Sequence, residues 1–335
     1  MTKTAIQWPL VFFSLLATGG AGILACVGLS EFLGVKRRSD FLAIVVALIM
    51  IVVGGGLFVF SIGQPSRMMA LLTNVTSGSP VSLEFLACGL SLIVAVVYLF
   101  IKRGENIVAG KVMGVIAVLI ALAFGFVTGY RYEAMPGMAE WHTHTLSIGF
   151  LLSFLLFSGF CYGVITSFGR RLHLGGEVEA DVSAEAGVSA VAGESAEPGA
   201  AAGESAEAQS EVMTEAQWHE ERTRVIAKVY AWVMLILAAA TTVVDCVHLA
   251  MVHLDSSLIL YVVLVAVVGG IATLLIALGM LRKPHFVWVY LGLITTFTGG
   301  LTFRMFVYLS ASPHLLGQSD SIVHNIVQMG CCLFM

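Results

Sequence analysis

The chain has 335 residues, of which 58% are hydrophobic and only 11% charged, with a formal net charge of −4 and a mean hydropathy of +0.94. A soluble domain carries roughly 25% charged residues, so this composition excludes a water-soluble fold and points to one that folds in lipid. In that solvent every backbone group must be paired internally, which leaves helices or a closed barrel, and long apolar runs without period-two alternation exclude the barrel.

Taken in chain order, the apolar runs predict eight transmembrane helices: Leu10–Leu29, Phe41–Ile62, Leu83–Ile101, Val112–Tyr130, Thr145–Ser167, Val229–His248, Leu258–Leu281 and Phe286–Leu309. Each is close to the about 20 residues that cross a bilayer. The first is longer than the core of a signal peptide and is followed by basic residues, so it is expected to remain. Lys and Arg set the orientation. Lys36, Arg37, Arg38, Lys102, Arg103, Lys111, Arg170, Arg171, Arg222, Arg224, Lys228, Arg282 and Lys283 all fall on one side, against Lys3, Arg67, Arg131 and Arg304 on the other. The expected protein is therefore all-α and polytopic, with the basic loops in the cytoplasm and both termini outside.

Residues 1–171 form a five-helix part and 222–310 a three-helix part, followed by an outer tail at 311–335. Between the two parts lies an acidic cytoplasmic insert, residues 172–221, in which Ala-Gly-Glu-Ser-Ala-Glu occurs at 192–197 and again at 202–207. It has too little apolar surface to offset chain entropy and is expected to be a disordered linker.

The six cysteines show no Cys-x-x-Cys spacing, so neither an iron–sulfur cluster nor a zinc site is expected in this chain. No histidine falls in the middle of a span, which argues against haem with its facing axial ligands.

The unusual polar residues collect instead at the outer ends of the spans: Ser61, Gln64 and Arg67, then Ser82 and Glu84, Tyr130 and Arg131, Asp245 and His248, and Arg304. Arg304 lies 18 residues beyond Phe286, about 27 Å up its helix. Each has a plain reading. Arg304 could snorkel to headgroups. Ser82 and Glu84 could be a helix cap and a first-turn acid. Asp245 and His248, a turn apart, could satisfy each other, and Gly54, Gly55 and Gly56 could be a packing face. Their convergence from five helices fits a site for a quinol, with Arg67, Arg304 and Tyr308 as donors and Glu84, Asp245 or His248 as proton acceptors. A small-molecule transporter is the alternative of another class, although no inverted repeat supports it.

Several segments resemble the membrane anchor subunit of dimethyl sulfoxide reductase. Gln7-Trp8-Pro9-Leu10 is similar to the family's opening Glu-Trp-Pro-Leu. Ser61-Ile62-Gly63-Gln64-Pro65-Ser66-Arg67 resembles its His-Leu-Gly-x-Pro-x-Arg, and Val81-Ser82-Leu83-Glu84 its Leu-Ser-x-Glu. Trp141 through Gly149-Phe150 is similar to its Trp-x7-Gly-Phe, and Gly299, Arg304 and Tyr308 to its Gly-x4-Arg-x3-Tyr. Ser61 stands where the family has His, Gly300 replaces an acid often found before the last-helix Arg, and the acidic insert is atypical.

The resemblance implies an eight-helix anchor in a bacterial cytoplasmic membrane, serving anaerobic respiration. Menaquinol would be oxidised near the outer face, with Ser61, Gly63, Pro65, Arg67, Glu84, Arg304 and Tyr308 as the binding residues. Electrons would pass to a four-cluster iron–sulfur subunit and then to a molybdopterin catalytic subunit. This chain would hold no haem, no cluster and no metal, and would carry no catalytic residue of the terminal reduction. A polysulfide-reductase-type quinone-coupled anchor is the related alternative; it would need an ionisable path through the membrane, and the inner ends read as ordinary solvated Lys and Arg.

Overall fold

The computed structural model describes residues 8–34, 39–62, 71, 73–104, 106–135, 141–188, 202–251, 259–282 and 286–310. The protein is all-α over these residues. Helix α1 spans Trp8–Phe32, α2 Ser39–Ile62, α3 Pro80–Arg103, α4 Ile107–Glu133, α5 His144–Val188 and α6 Ala202–Met251. Helix α7 spans Ile259–Arg282, with a π-helical stretch at Val265–Ala272, and α8 spans Phe286–Ser310.

Seven helices among the described residues have the length and hydropathy of a membrane crossing: α1, α2, α3, α4, the His144–Phe168 part of α5, the Val225–Met251 part of α6, and α7. The eighth expected span falls on α8, which is not among those seven; it is a helix of 25 residues packed against α1, α5 and α7. Helix runs into both flanks of the acidic insert, to Val188 and from Ala202, as the alanine and glutamate content there permits. Residues 189–201 at its centre and the tail 311–335 lie outside the described residues.

Local chemistry fixes the ends. Pro80 opens α3 at a position where a missing N–H costs nothing, and Asn106 caps α4 by accepting from the Ala109 N–H at 3.2 Å. The start of α3 differs from expectation. Ser79, not Ser82, is the capping position, so Glu84 lies a full turn inside the helix rather than at its solvated first turn.

Helix α1 is the hub. In its most apolar window 83% of residues are buried, against 61% for α5 and 22–39% for the other crossings. It packs on α2, α4 and α5. The reason is its run of small residues, which lets backbones approach closely. A Cβ on Gly28 would stand 2.4 Å from the Gly114 carbonyl oxygen of α4, and one on Gly20 2.7 Å from the Ala47 carbonyl oxygen of α2. Of the expected glycine face on α2, Gly54 alone is tightly packed. A Cβ there would lie 2.8 Å from the Ala17 nitrogen, whereas Gly55 meets Cys88 at 3.5 Å and Gly56 faces nothing within 4 Å. A second backbone contact joins α7 to α8, where a Cβ on Gly299 would stand 2.5 Å from the Gly269 Cα.

Candidate functional site

Polar side chains concentrate at two opposite ends of the bundle. At the end formed by the start of α3 and α5 and the finish of α4, α6 and α8, Glu84 is fully buried and Arg131 is 3% exposed. Arg131 donates from Nη1 to Glu84 Oε2 at 2.5 Å and from Nη2 to the Tyr132 hydroxyl at 2.8 Å. That hydroxyl lies 2.9 Å from the Tyr308 hydroxyl. A continuous hydrogen-bonded chain therefore runs from α3 through α4 to α8. The Thr128 hydroxyl donates to the Phe124 carbonyl of its own helix, and Glu84 Oε1 has no hydrogen-bond partner among the described residues.

Arg304 on α8 sits beside this chain. It is 1% exposed and turns inward rather than toward headgroups. Its Nε donates to Ser14 Oγ at 3.0 Å, its Nη2 to the Ser14 carbonyl at 3.4 Å, and its Nη1 to the Gly300 carbonyl at 3.1 Å. Gly300 thus receives the guanidinium through its backbone carbonyl. Phe150 joins the two arginine regions. It lies 4.9 Å beneath the Arg304 guanidinium carbon, a cation–π separation, and stacks on Tyr132 at 5.2 Å.

Behind Arg304, α6 supplies Asp245 and His248. They do not pair with each other. His248 is fully buried, meets the Thr145 hydroxyl through Nδ1 at 3.2 Å, and packs edge-on to Phe303 and Phe306. His144, by contrast, is 89% exposed and bonded to Glu133.

Six buried polar atoms have no hydrogen-bond partner among the described residues: Ser82 Oγ, Glu84 Oε1, Arg131 Nε, Trp141 Nε1, Asp245 Oδ1 and His248 Nε2. Native proteins leave few such atoms. All six fall at this one end.

Of the residues expected from sequence, Glu84 and Tyr308 belong to one network, and Arg304 adjoins it through Phe150. Among the described residues the partner of Glu84 is Arg131; Arg131 reads in the sequence as a helix-end cation, yet its helix continues to Glu133. Ser61 spends its hydroxyl on the Phe58 carbonyl of its own helix, at 2.6 Å. Gly63, Pro65 and Arg67 lie outside the described residues.

The opposite end corrects a second expectation. Lys102 is not an ordinary solvated cation: its ammonium lies 3.2 Å from Glu31 and 3.7 Å from Asp40, and its side chain is only 17% exposed. Tyr98 donates to Glu31 at 2.6 Å and Tyr162 to Asp40 at 2.9 Å. Glu31 fits because α4 presents Gly110, where a Cβ would stand within 2.2 Å of its carboxylate. The carboxylates lie in the helices flanking a basic loop, so in sequence they read as solvated; only the packing of α1 to α5 encloses them.

Apolar helices enclosing polar residues at both ends define the class: a multi-pass membrane protein. No family model, no curated protein and no solved structure matches the chain.

Proposed function

We propose that this chain is the membrane anchor subunit of a quinol-oxidising complex of the dimethyl sulfoxide reductase kind. It would oxidise menaquinol near the outer membrane face and pass electrons to an iron–sulfur subunit that feeds a molybdopterin catalytic subunit. The observation that supports this best is the cluster of polar atoms at the Arg131–Arg304 end that have no partner among the described residues. A quinol brings two oxygens and two protons, and needs donors, an acceptor and an aromatic wall. Arg304 supplies N–H donors in a fixed fork; Tyr132, Tyr308 and Phe150 supply the wall.

Arg304→Gln tests this. In the assembled complex, quinol-driven turnover should fall on the order of 10- to 100-fold, the loss of one charged hydrogen bond. Turnover from an artificial donor that bypasses the membrane subunit should be unchanged. Full quinol-driven turnover in the variant would remove the site from this end of the bundle.

One observation favours the polysulfide-reductase-type reading as a second. Buried Glu31 and Asp40 with the half-buried Lys102 between them put ionisable side chains at the far end, where a proton path would begin. Quinol-driven acidification across proteoliposomes, lost in Lys102→Met, would favour that reading.

A further inference from the structure

Between α5, α6, α7 and α8 lies a small cavity of about 20 Å³, room for one water-sized guest. Asp245 and the hydroxyl residues Ser153, Thr241 and Thr296 line it, together with the Gly269–Gly299 crossing and Gly300. The hydroxyl protons are already used. Ser153 donates to the Phe150 carbonyl, Thr241 to Leu237 and Thr296 to Gly292, each within its own helix. Their lone pairs are what remain for the cavity, and Asp245 Oδ1, in a residue 7% exposed, has no partner among the described residues. The polar side chains of the lining therefore all accept and none donates. A guest must bring its own protons or positive charge.

The charged and titratable neighbours are few. Arg304 comes from α8 and reaches the wall through Gly300. His248 is a turn away on Asp245's own helix. Helix α5 presents Gly149, whose Cβ would stand 3.7 Å from Asp245 Oδ1, and Ser153; α7 presents Gly269. Arg304 makes no ion pair among the described residues, since its bonds go to Ser14 and Gly300. One carboxylate oxygen and three hydroxyls are too few oxygens for magnesium or calcium, which take six or more. A water suits the space: it can donate to Asp245 Oδ1 and to one hydroxyl oxygen of the lining.

We propose that Asp245 and a single water in this cavity form an internal proton-binding site, with Arg304 as the counter-charge of the ionised carboxylate. The proton comes from bulk solvent and adds to the carboxylate oxygen while the water stays whole, so the site alternates between an ionised carboxylate accepting from the water and a neutral acid hydrogen-bonded to it. The site is defined without reference to quinol and stands or falls apart from that reading.

The test is infrared difference spectroscopy of the full chain in lipid nanodiscs, titrated by pH in potassium buffer and then with sodium added. A protonated-carboxyl stretching band should appear reversibly as pH falls. It should be absent in Asp245→Asn, shift in frequency in Thr296→Val, which alters the water's surroundings at nearly constant volume, and ignore sodium. The Thr296→Val arm reads the site even if the asparagine variant fails to assemble, and it separates Asp245 from the other buried aspartate, Asp40. No titrating band in the parent, or a band indifferent to Thr296→Val, overturns the proposal. A band abolished by sodium replaces the proton site with a sodium site.

Discussion

At the scale of single residues, the burial of Glu84 and Arg131 decides what their substitution does. Bringing two charges out of water is costly, and their attraction offsets that only while both are present. Glu84→Gln should therefore destabilise the protein by about 3–5 kcal/mol by leaving the Arg131 guanidinium buried and unpaired. Removing both charges in Glu84→Gln with Arg131→Met should recover most of that loss. Thermal unfolding in detergent measures both; equal losses in the single and double variants would mean that the pair is not coupled. Glu84 and Asp245 each keep one carboxylate oxygen without a hydrogen bond among the described residues, but the other oxygen of Glu84 is held by Arg131. Sequence reading could flag Glu84, Asp245 and Arg304, since an ionisable residue within an apolar span is rare enough to notice. It could not choose their partners. Nothing in the spacing of Glu84 says that Arg131, 47 positions later, reaches it first, or that Ser14 receives Arg304 from 290 positions away.

At the scale of elements, the helices themselves are legible because length and hydropathy suffice to place a crossing. Their rotation is not. When every face is apolar, periodicity loses its phase, and inner and lipid-facing residues look alike. Glycines carry part of the missing information, but unevenly. Gly54, Gly55 and Gly56 look equivalent in sequence; only Gly54 touches another backbone. The expected contrast is sharp. Gly56→Ala should leave thermal stability within about 0.5 kcal/mol, as surface substitutions do. Gly299→Ala drives a methyl into the Gly269 backbone and should cost about 1–3 kcal/mol by overpacking. Melting temperatures of the two variants in one detergent check this, and equal values would show that the α7–α8 crossing yields freely. The π-helical stretch of α7 carries Gly269 at this crossing, so a loosened crossing should also disturb the cavity against which Asp245 lies.

At the scale of the whole molecule, orientation follows from charge asymmetry rather than from any contact. Single cysteines placed at Thr76 and at Asn106, both exposed, test it in a background freed of native thiols. A membrane-impermeant maleimide applied to intact cells should label Thr76→Cys and spare Asn106→Cys. The reverse pattern would put the Arg304 end on the cytoplasmic side and the proposed electron-accepting partner with it. The enclosure of α1 bears on how such a molecule is made. During synthesis from the N-terminus, this helix enters lipid before the neighbours that will surround it exist. It can wait there because Ser14, Thr18 and Ser30 each donate to a carbonyl of their own helix, so no hydroxyl is stranded in hydrocarbon. Glu31 is the exception. Its partners Tyr98 and Lys102 are 67 and 71 positions downstream, so the nascent chain holds the acid at the end of α1 without these partners until α3 arrives, and that arrival fastens α1 in place.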